Sequence, residues 1–275
     1  MSNFVYEYKG PVVQVQDVHL TLGGNKILDG VDFTIRNVVR PEVTQGQVVG
    51  LLGPSGIGKT QLFRILAGLN KPSSGTVLIG DPGEPAQAGR VGVVAQHYPL
   101  FAHRTVLDNL LVAGQNGGKS SADAGAKAKS LLERFRLDDR GSLYPAQLSG
   151  GQRQRVAIAQ QIMCSEQFLL MDEPFSGLDL IALRKVQELI GEIGQLHELN
   201  TIFVVTHDIS AAIEVCDTIL LMGRNSDASG KLAPGARIQA TYDLIERGLA
   251  WRPNVSAMPE FAATLQEIRQ RFTLL

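Results

Sequence analysis

Residues 11–22, Pro-Val-Val-Gln-Val-Gln-Asp-Val-His-Leu-Thr-Leu, alternate apolar and polar side chains, and Val31-Asp32-Phe33-Thr34-Ile35 repeats the alternation after Asp29-Gly30. A period of two turns one strand face to a core and the other to water, so two antiparallel strands are predicted. Residues 36–45 break the pattern, and Pro41 lacks the amide a central strand needs, so a surface loop is expected there. Gln47-Val48-Val49-Gly50-Leu51-Leu52 is apolar almost throughout, the mark of a strand buried on both faces. The apolar positions of Gln61-Leu62-Phe63-Arg64-Ile65-Leu66-Ala67 fall at helical spacing instead. Pro72-Ser73-Ser74-Gly75 reads as a turn, and 76–79 and 90–94 as short strands around the loop Gly80–Gly89.

From Thr105 the periodicity becomes helical, over 105–112, over 121–136 after a Gly/Ser-rich break at 114–121, and again from near Gly150. The apolar runs Phe168–Met171 and Thr201–Val205 then flank the helix-like 179–199, and strand–helix alternation predicts a parallel sheet. Residues 217–222 read as another strand, Asn225–Gly235 as a turn-rich loop, and 236–275 as short elements that include a helix-like 259–271. Together these predict an α/β fold whose core holds a parallel sheet, with an antiparallel β subdomain before it and a helical subdomain inserted into it.

The 275 residues suffice for a sizeable core, and 26 Lys+Arg against 27 Asp+Glu leave a formal charge of -1. That balance supplies no long-range field for nucleic acid or an anionic membrane, so no nucleic-acid partner is expected. No apolar run is long enough to span a bilayer, and Asn3, Glu7 and Lys9 deny the start a secretory core, so a soluble, cytoplasmic chain is expected. Cys164 and Cys216 read as reduced, packed thiols.

Two stretches carry chemistry. Gly53-Pro54-Ser55-Gly56-Ile57-Gly58-Lys59-Thr60 satisfies the phosphate-binding pattern G-x-x-x-x-G-K-[ST] between a buried strand and a helix that continues with Gln61. Glycines fold such a loop tightly enough for successive N–H groups and the helix N-terminus to face a triphosphate; Lys59 adds charge, and Thr60 offers a hydroxyl to Mg²⁺. The second stretch is Asp172-Glu173, directly after a buried strand, at the sheet edge where ligands collect. Asp172 suits Mg²⁺, and Glu173 suits polarising a water for attack on the γ-phosphorus, which predicts hydrolysis of the bound nucleotide triphosphate.

Between these stretches, Leu148-Ser149-Gly150-Gly151-Gln152 resembles the signature of the ATP-binding-cassette (ABC) ATPases. The order of motifs extends the resemblance over residues 12 to 223: Gln96 resembles the Q-loop glutamine, Ser176-Gly177-Leu178-Asp179 the D-loop, and His207 the switch histidine. The resemblance implies a P-loop NTPase core with β subdomain at about 1–98 and 156–225, a helical signature subdomain at about 99–155, and a C-terminal extension at 226–275. It implies ATP and Mg²⁺ as ligands, with Gln96 sensing metal and water, and His207 bonding the γ-phosphate. Two subunits, identical or paired, would close head to tail, so that Ser149, Gly150, Gly151, Gln152 and Asp179 of one meet the nucleotide on Lys59 of the other. The Ser-Gly-Gly start would also serve as a plain helix cap, and Asp179 as the cap of the following helix.

By the same resemblance the chain is an ATPase subunit driving a separate integral membrane permease from its cytoplasmic face, with a solute-binding protein as a further partner. The segment Gln96-His97-Tyr98-Pro99-Leu100-Phe101 and Thr105–Asn109 is similar to the surface bacterial importers present to a permease coupling helix. A soluble ABC protein acting on translation or nucleic acid is the alternative; it is less well matched by one cassette with no heptad run or basic tract. The chain departs from the family pattern in three places. Leu22-Gly23 stands where an aromatic usually stacks on adenine, residues 36–45 lengthen a connection that is usually tight, and Ala159-Gln160-Gln161 replaces an Ala-Arg pattern.

Overall fold

A computed structural model describes residues 5–40, 46–95, 97–165, 167–176, 180–194, 201–226 and 232–275. In chain order, β1 (Glu7–Leu22), β2 (Asn25–Val39) and β3 (Gln47–Leu52) precede α1 (Lys59–Leu66), followed by β4 (Ser74–Ile79), β5 (Glu84–Pro85) and β6 (Gly92–Val94). Three helices come next: α2 (Val106–Asn116), α3 (Ser121–Arg134) and α4 (Gly150–Cys164). The alternating half contains β7 (Phe168–Asp172), α5 (Leu180–Gly194), β8 (Thr201–Thr206), α6 (Ile209–Val215) and β9 (Thr218–Ser226), and the chain closes with β10 (Leu232–Asp243) and α7 (Pro259–Phe272).

All ten of these strands form one sheet, in the order β5-β4-β1-β2-β10-β9-β3-β8-β7-β6. The members β5, β4, β1 and β2 pair antiparallel, whereas β3 runs parallel to β8 and β9, and β7 parallel to β8 and β6. The period of two now has a visible use. Val49, Leu51, Leu170, Phe203, Val205 and Leu220 face one core with Leu62 and Ile65 of α1. Val48, Leu52, Leu169, Met171, Ile202 and Val204 face another with Val186 and Ile190 of α5 and Ala212 of α6. Both sheet faces are therefore covered, as a parallel sheet requires.

The helical subdomain packs Leu110, Ala124, Ala128, Leu131, Ile158 and Met163 together. Thr105 caps α2 by accepting from Asp108 N, and Ser120 caps α3 by accepting from Asp123 N. α4 thus carries the Ser-Gly-Gly segment on a firmly packed helix.

Two expectations from the sequence need correction. Residues 36–39 are not loop but the last turn-free stretch of β2, with Tyr8 opposite Val38 and Glu7 opposite Val39. The start of β1 supplies backbone partners there, so the ladder runs on until the register nears Pro41; residues 41–45 lie outside the described part. Likewise, Asn225, Ser226 and Leu232–Gly235 are strand, with Leu232 opposite Ser226 and Ala236 opposite Arg224. Gly235, at φ 88, absorbs a register shift in that ladder, which a reading of Gly and Pro as loop formers misses. Beyond residue 225, β10 pairs antiparallel with β9 and meets β2 at Ala236–Leu28, and α7 packs on α6. No helix among the described residues is long and apolar enough to cross a membrane.

Candidate functional site

Strand β3 delivers the chain to the loop at Gly53, whose hydrogen faces the Met222 carbonyl; a Cβ there would lie 2.6 Å from that oxygen. The loop ends at Gly58, with φ 117, which only glycine adopts without strain, and whose missing Cβ leaves room for Ile27 and Leu28 of the β1–β2 hairpin. α1 then starts at Lys59. The Lys59 side chain is buried, with Nζ donating to the carbonyls of Gly53 at 2.7 Å and Pro54 at 3.1 Å. Burial lowers its pKa, while Glu173 and Asp172 push it back up, which places the cation between the loop and both carboxylates. Thr60 is exposed on the first turn of α1, and Gln61 beside it accepts from Asn70 Nδ2 at 3.1 Å.

Asp172 ends β7, and Glu173 follows at φ 49, its N–H donating to the Val205 carbonyl at 2.8 Å. Burial raises the Asp172 pKa, repulsion from Glu173 adds to it, and Lys59 opposes both. The Glu173 carboxylate is held from two sides: Thr206 Oγ1 donates to Oε2 at 3.3 Å, and His207 Nδ1 lies 2.9 Å from the same oxygen. Facing a carboxylate, Nδ1 carries a proton and donates it to the Glu173 oxygen. Thr206 also accepts from Asp208 N at 3.1 Å, and Asp208 caps α6. Thr206 was not singled out by sequence reasoning; its only signal is a hydroxyl residue between a buried strand and a histidine.

The strand edge therefore brings together Lys59, Asp172, Glu173 and His207. Ser149, Gly150, Gly151 and Gln152 sit at the start of α4, and among the described residues no hydrogen bond ties them to the phosphate loop. Ser149 Oγ accepts from Gln152 N at 3.3 Å and Gln152 Oε1 accepts from Ser149 N at 2.9 Å, a reciprocal cap. Gly150 and Gly151 are exposed, and an added Cβ on either would meet nothing within 4 Å. Gln96 and Asp179, both expected at the site, lie outside the described residues. Of the departures noted above, Leu22 ends β1 at 43% exposure, and Gln161 Oε1 accepts from Val93 N at 3.1 Å, which pins α4 to the edge strand β6.

Exposed hydroxyl and half-buried carboxylate oxygens beside Lys59 are hard donors of the kind Mg²⁺ takes. Among the described residues no cluster of three or more His, Cys, Asp or Glu could hold a metal by itself. That suits an ion which keeps waters and substrate phosphates as ligands and so needs no all-protein cage.

Residues 37–176 match the ABC transporter family. The sulfate/thiosulfate import ATP-binding protein of Rhizobium meliloti is 40% identical over 221 residues, covering 78% of this chain and 58% of its own length. The protein of the same name from Pectobacterium atrosepticum is 40% identical over 199 residues, covering 70% of this chain and 60% of its own. The chain thus spans about three fifths of the length of these curated relatives. Among solved structures, cbiO1 of Clostridium perfringens, part of the cbiONQ ABC transporter complex, superposes with TM-score 0.72 at 24% identity over 96% of this chain and 97% of its own. The ATP binding subunit of an ABC transporter superposes with TM-score 0.66 at 25% identity over 93% and 99%.

Proposed function

The chain belongs to the ABC transporter family, and we propose that it binds and hydrolyses ATP as the energy-supplying subunit of a bacterial importer, acting on a separate membrane permease from the cytoplasmic side. The observation that carries this reading is the Glu173 carboxylate, held by Thr206 and His207 at the strand edge next to Lys59. A carboxylate oriented by two donors has the position a base needs to polarise an attacking water. Thr60 and Asp172 would hold Mg²⁺, whose charge would offset that of the phosphates. Lys59 would exchange its loop carbonyls for phosphate oxygens, gaining a charged partner for a buried cation.

The open space around Gly150 and Gly151 supports closure of two subunits on a shared nucleotide. Among the described residues nothing fills the room their missing side chains leave, and the N–H groups that start α4 are aimed outward with the positive end of its dipole. A solute-binding protein outside the membrane would complete the assembly, with the cargo chosen by the other components. For the permease, an apolar groove of about 400 Å³ lies between α2, α4 and the segment Pro99–Phe101, with Val112 and Ala113 in its wall and Phe101 partly exposed at its rim. It is suited to a short amphipathic helix. Affinity purification of the chain from its native membranes tests the reading: an integral membrane protein should copurify, and Phe101→Asp should release it. Recovery of a ribosomal or DNA-associated partner instead would overturn the transporter assignment.

A further inference from the structure

α4 starts at the Ser-Gly-Gly segment and runs for 15 residues to Cys164, about 22 Å at the rise of an α-helix. Its first turn has no hydrogen bond to the phosphate loop among the described residues, so the place of that turn relative to Lys59 and Glu173 depends on how the far end of the helix is seated. That end lies on β6. Gly92 permits the close approach, since a Cβ there would stand 3.1 Å from Gln161 Cβ and 3.2 Å from the Gln161 carbonyl oxygen. β6 is the edge of the sheet, paired with β7 in the register Gly92–Leu169, Val93–Leu170 and Val94–Met171. Its Val93 N–H is turned to the helix, where Gln161 Oε1 accepts it at 3.1 Å. One side-chain oxygen thus joins α4 to the strand beside β7, which ends at Asp172. The neighbouring Gln160 is buried, and its Nε2 donates to Asn109 Oδ1 at 3.5 Å. Asn109 accepts from Phe101 N at 2.8 Å and donates to the Thr105 carbonyl at 2.8 Å, so the same turn of α4 also holds the segment that rims the groove.

We propose that Gln161 is a positioning residue for ATP turnover: through Val93 it fixes α4 on the sheet edge, and so sets where Ser149, Gly150 and Gly151 stand when two subunits close on a nucleotide. The inference rests on the ATPase reading above and adds to it a residue outside the motifs. An acceptor is what position 161 must supply. An apolar side chain would leave the half-buried Val93 amide unpaired, and α4 would then be held on Gly92 by packing alone, free to tilt. Gln160-Gln161 is the pair by which the chain departs from the Ala-Arg pattern of its family, and neither alanine nor arginine carries a side-chain acceptor. The link therefore belongs to this chain's own pair of glutamines.

The test compares Gln161→Met, which keeps the length and loses the amide oxygen, with Gln161→Glu, which keeps an oxygen at the same reach. Three quantities are read on the full chain: binding of a fluorescent ATP analogue at concentrations that keep the chain monomeric, ATP-dependent dimer mass by light scattering, and Mg²⁺-dependent turnover. In Gln161→Met nucleotide binding should hold, while ATP-driven dimerisation and turnover fall about tenfold, the scale of one lost hydrogen bond. Gln161→Glu should bring both back to near the native level. A glutamine that only stabilised the fold would lower the melting temperature and leave all three quantities intact below the transition. Gln161→Asn draws the amide back by one methylene and should shift dimerisation and turnover in the same direction, so the comparison survives a Gln161→Met chain that does not fold. Dimerisation and turnover at the native level in Gln161→Met, or equally impaired in Gln161→Met and Gln161→Glu, would overturn the inference alone. A native chain without turnover would overturn the ATPase reading and the inference with it.

Discussion

Glu173 shows how residue identity and backbone combine. Its left-handed φ of 49 lies one residue past a buried strand, and its side chain is fixed by two donors that the sequence places more than thirty positions away. Lys59 and Asp172 were singled out by motifs whose residue types suit phosphate chemistry, and His207 by its place in the motif order of the resembled family; the fold sets Glu173 between them. Thr206 was not, since a hydroxyl at a strand end is unremarkable until the fold sets it against Glu173. Leu22 is the residue-scale question about the base. It ends β1 partly exposed, on the hairpin whose Ile27 and Leu28 lie against Gly58. Leucine offers a base only apolar contact, whereas stacking on an aromatic is worth about 1–3 kcal/mol in single-strand nucleic-acid binders. Leu22→Tyr is expected to tighten ATP several-fold, the effect of roughly 1 kcal/mol, with little change in turnover at saturation. Fluorescence titration with ATP and GTP checks it; a strong ATP preference in the native chain, with no gain on substitution, would mean another side chain already covers adenine.

At the scale of elements, glycine separates folding from function. Gly75 leads into the pairing of β4 with β1, at φ 89, and a Cβ there would lie 2.2 Å from the Asp17 carbonyl oxygen. That neighbour is backbone and cannot turn aside. Gly75→Ala should therefore cost about 3 kcal/mol or more, read as a lower urea midpoint at unchanged slope. Gly151→Ala, by contrast, adds a methyl group in open space within a helix, so the melting temperature should hold or rise slightly, while ATP-driven closure of two subunits should weaken. Unchanged ATP-dependent dimerisation in Gly151→Ala would remove this glycine from the interface. The elements themselves were largely readable, because helices and buried strands have distinct periods. Strand ends were not: β2 runs to Val39, and β10 begins at Leu232 despite Pro234 and Gly235, because pairing partners far along the chain outweigh local breakers.

Over the whole molecule, Asp217 links regions that sequence order keeps apart. It is 4% exposed, its carboxylate accepts from Val48 N at 2.7 Å at the start of the strand that leads to the phosphate loop, and its carbonyl accepts from Leu244 N after β10. Burial pushes its carboxyl up to about 7, against the lowering effect of the Val48 amide and of Arg40. The folded chain therefore retains a proton that the unfolded chain has released. The resulting stabilisation is complete below the ordinary carboxylate range and is lost as pH rises through about 7, with a slope of about 1.4 kcal/mol per pH unit inside that window. Asp217→Asn keeps an oxygen for Val48 N without a titrating proton, so urea midpoints measured from pH 5 to 8 should fall less steeply than in the native chain; equal slopes would contradict this. The architecture as a whole followed from motif order, but the meeting of β10 with β2 at Ala236–Leu28 came only from the fold. The central claim, that Glu173 makes this chain an ATPase, is tested most directly by measuring Mg²⁺-dependent ATP turnover of Glu173→Gln against the native chain, with the ATP-bound mass followed by light scattering. Turnover should fall about a hundredfold or more while ATP still binds and the dimer persists, whereas turnover equal to that of the native chain would contradict the account.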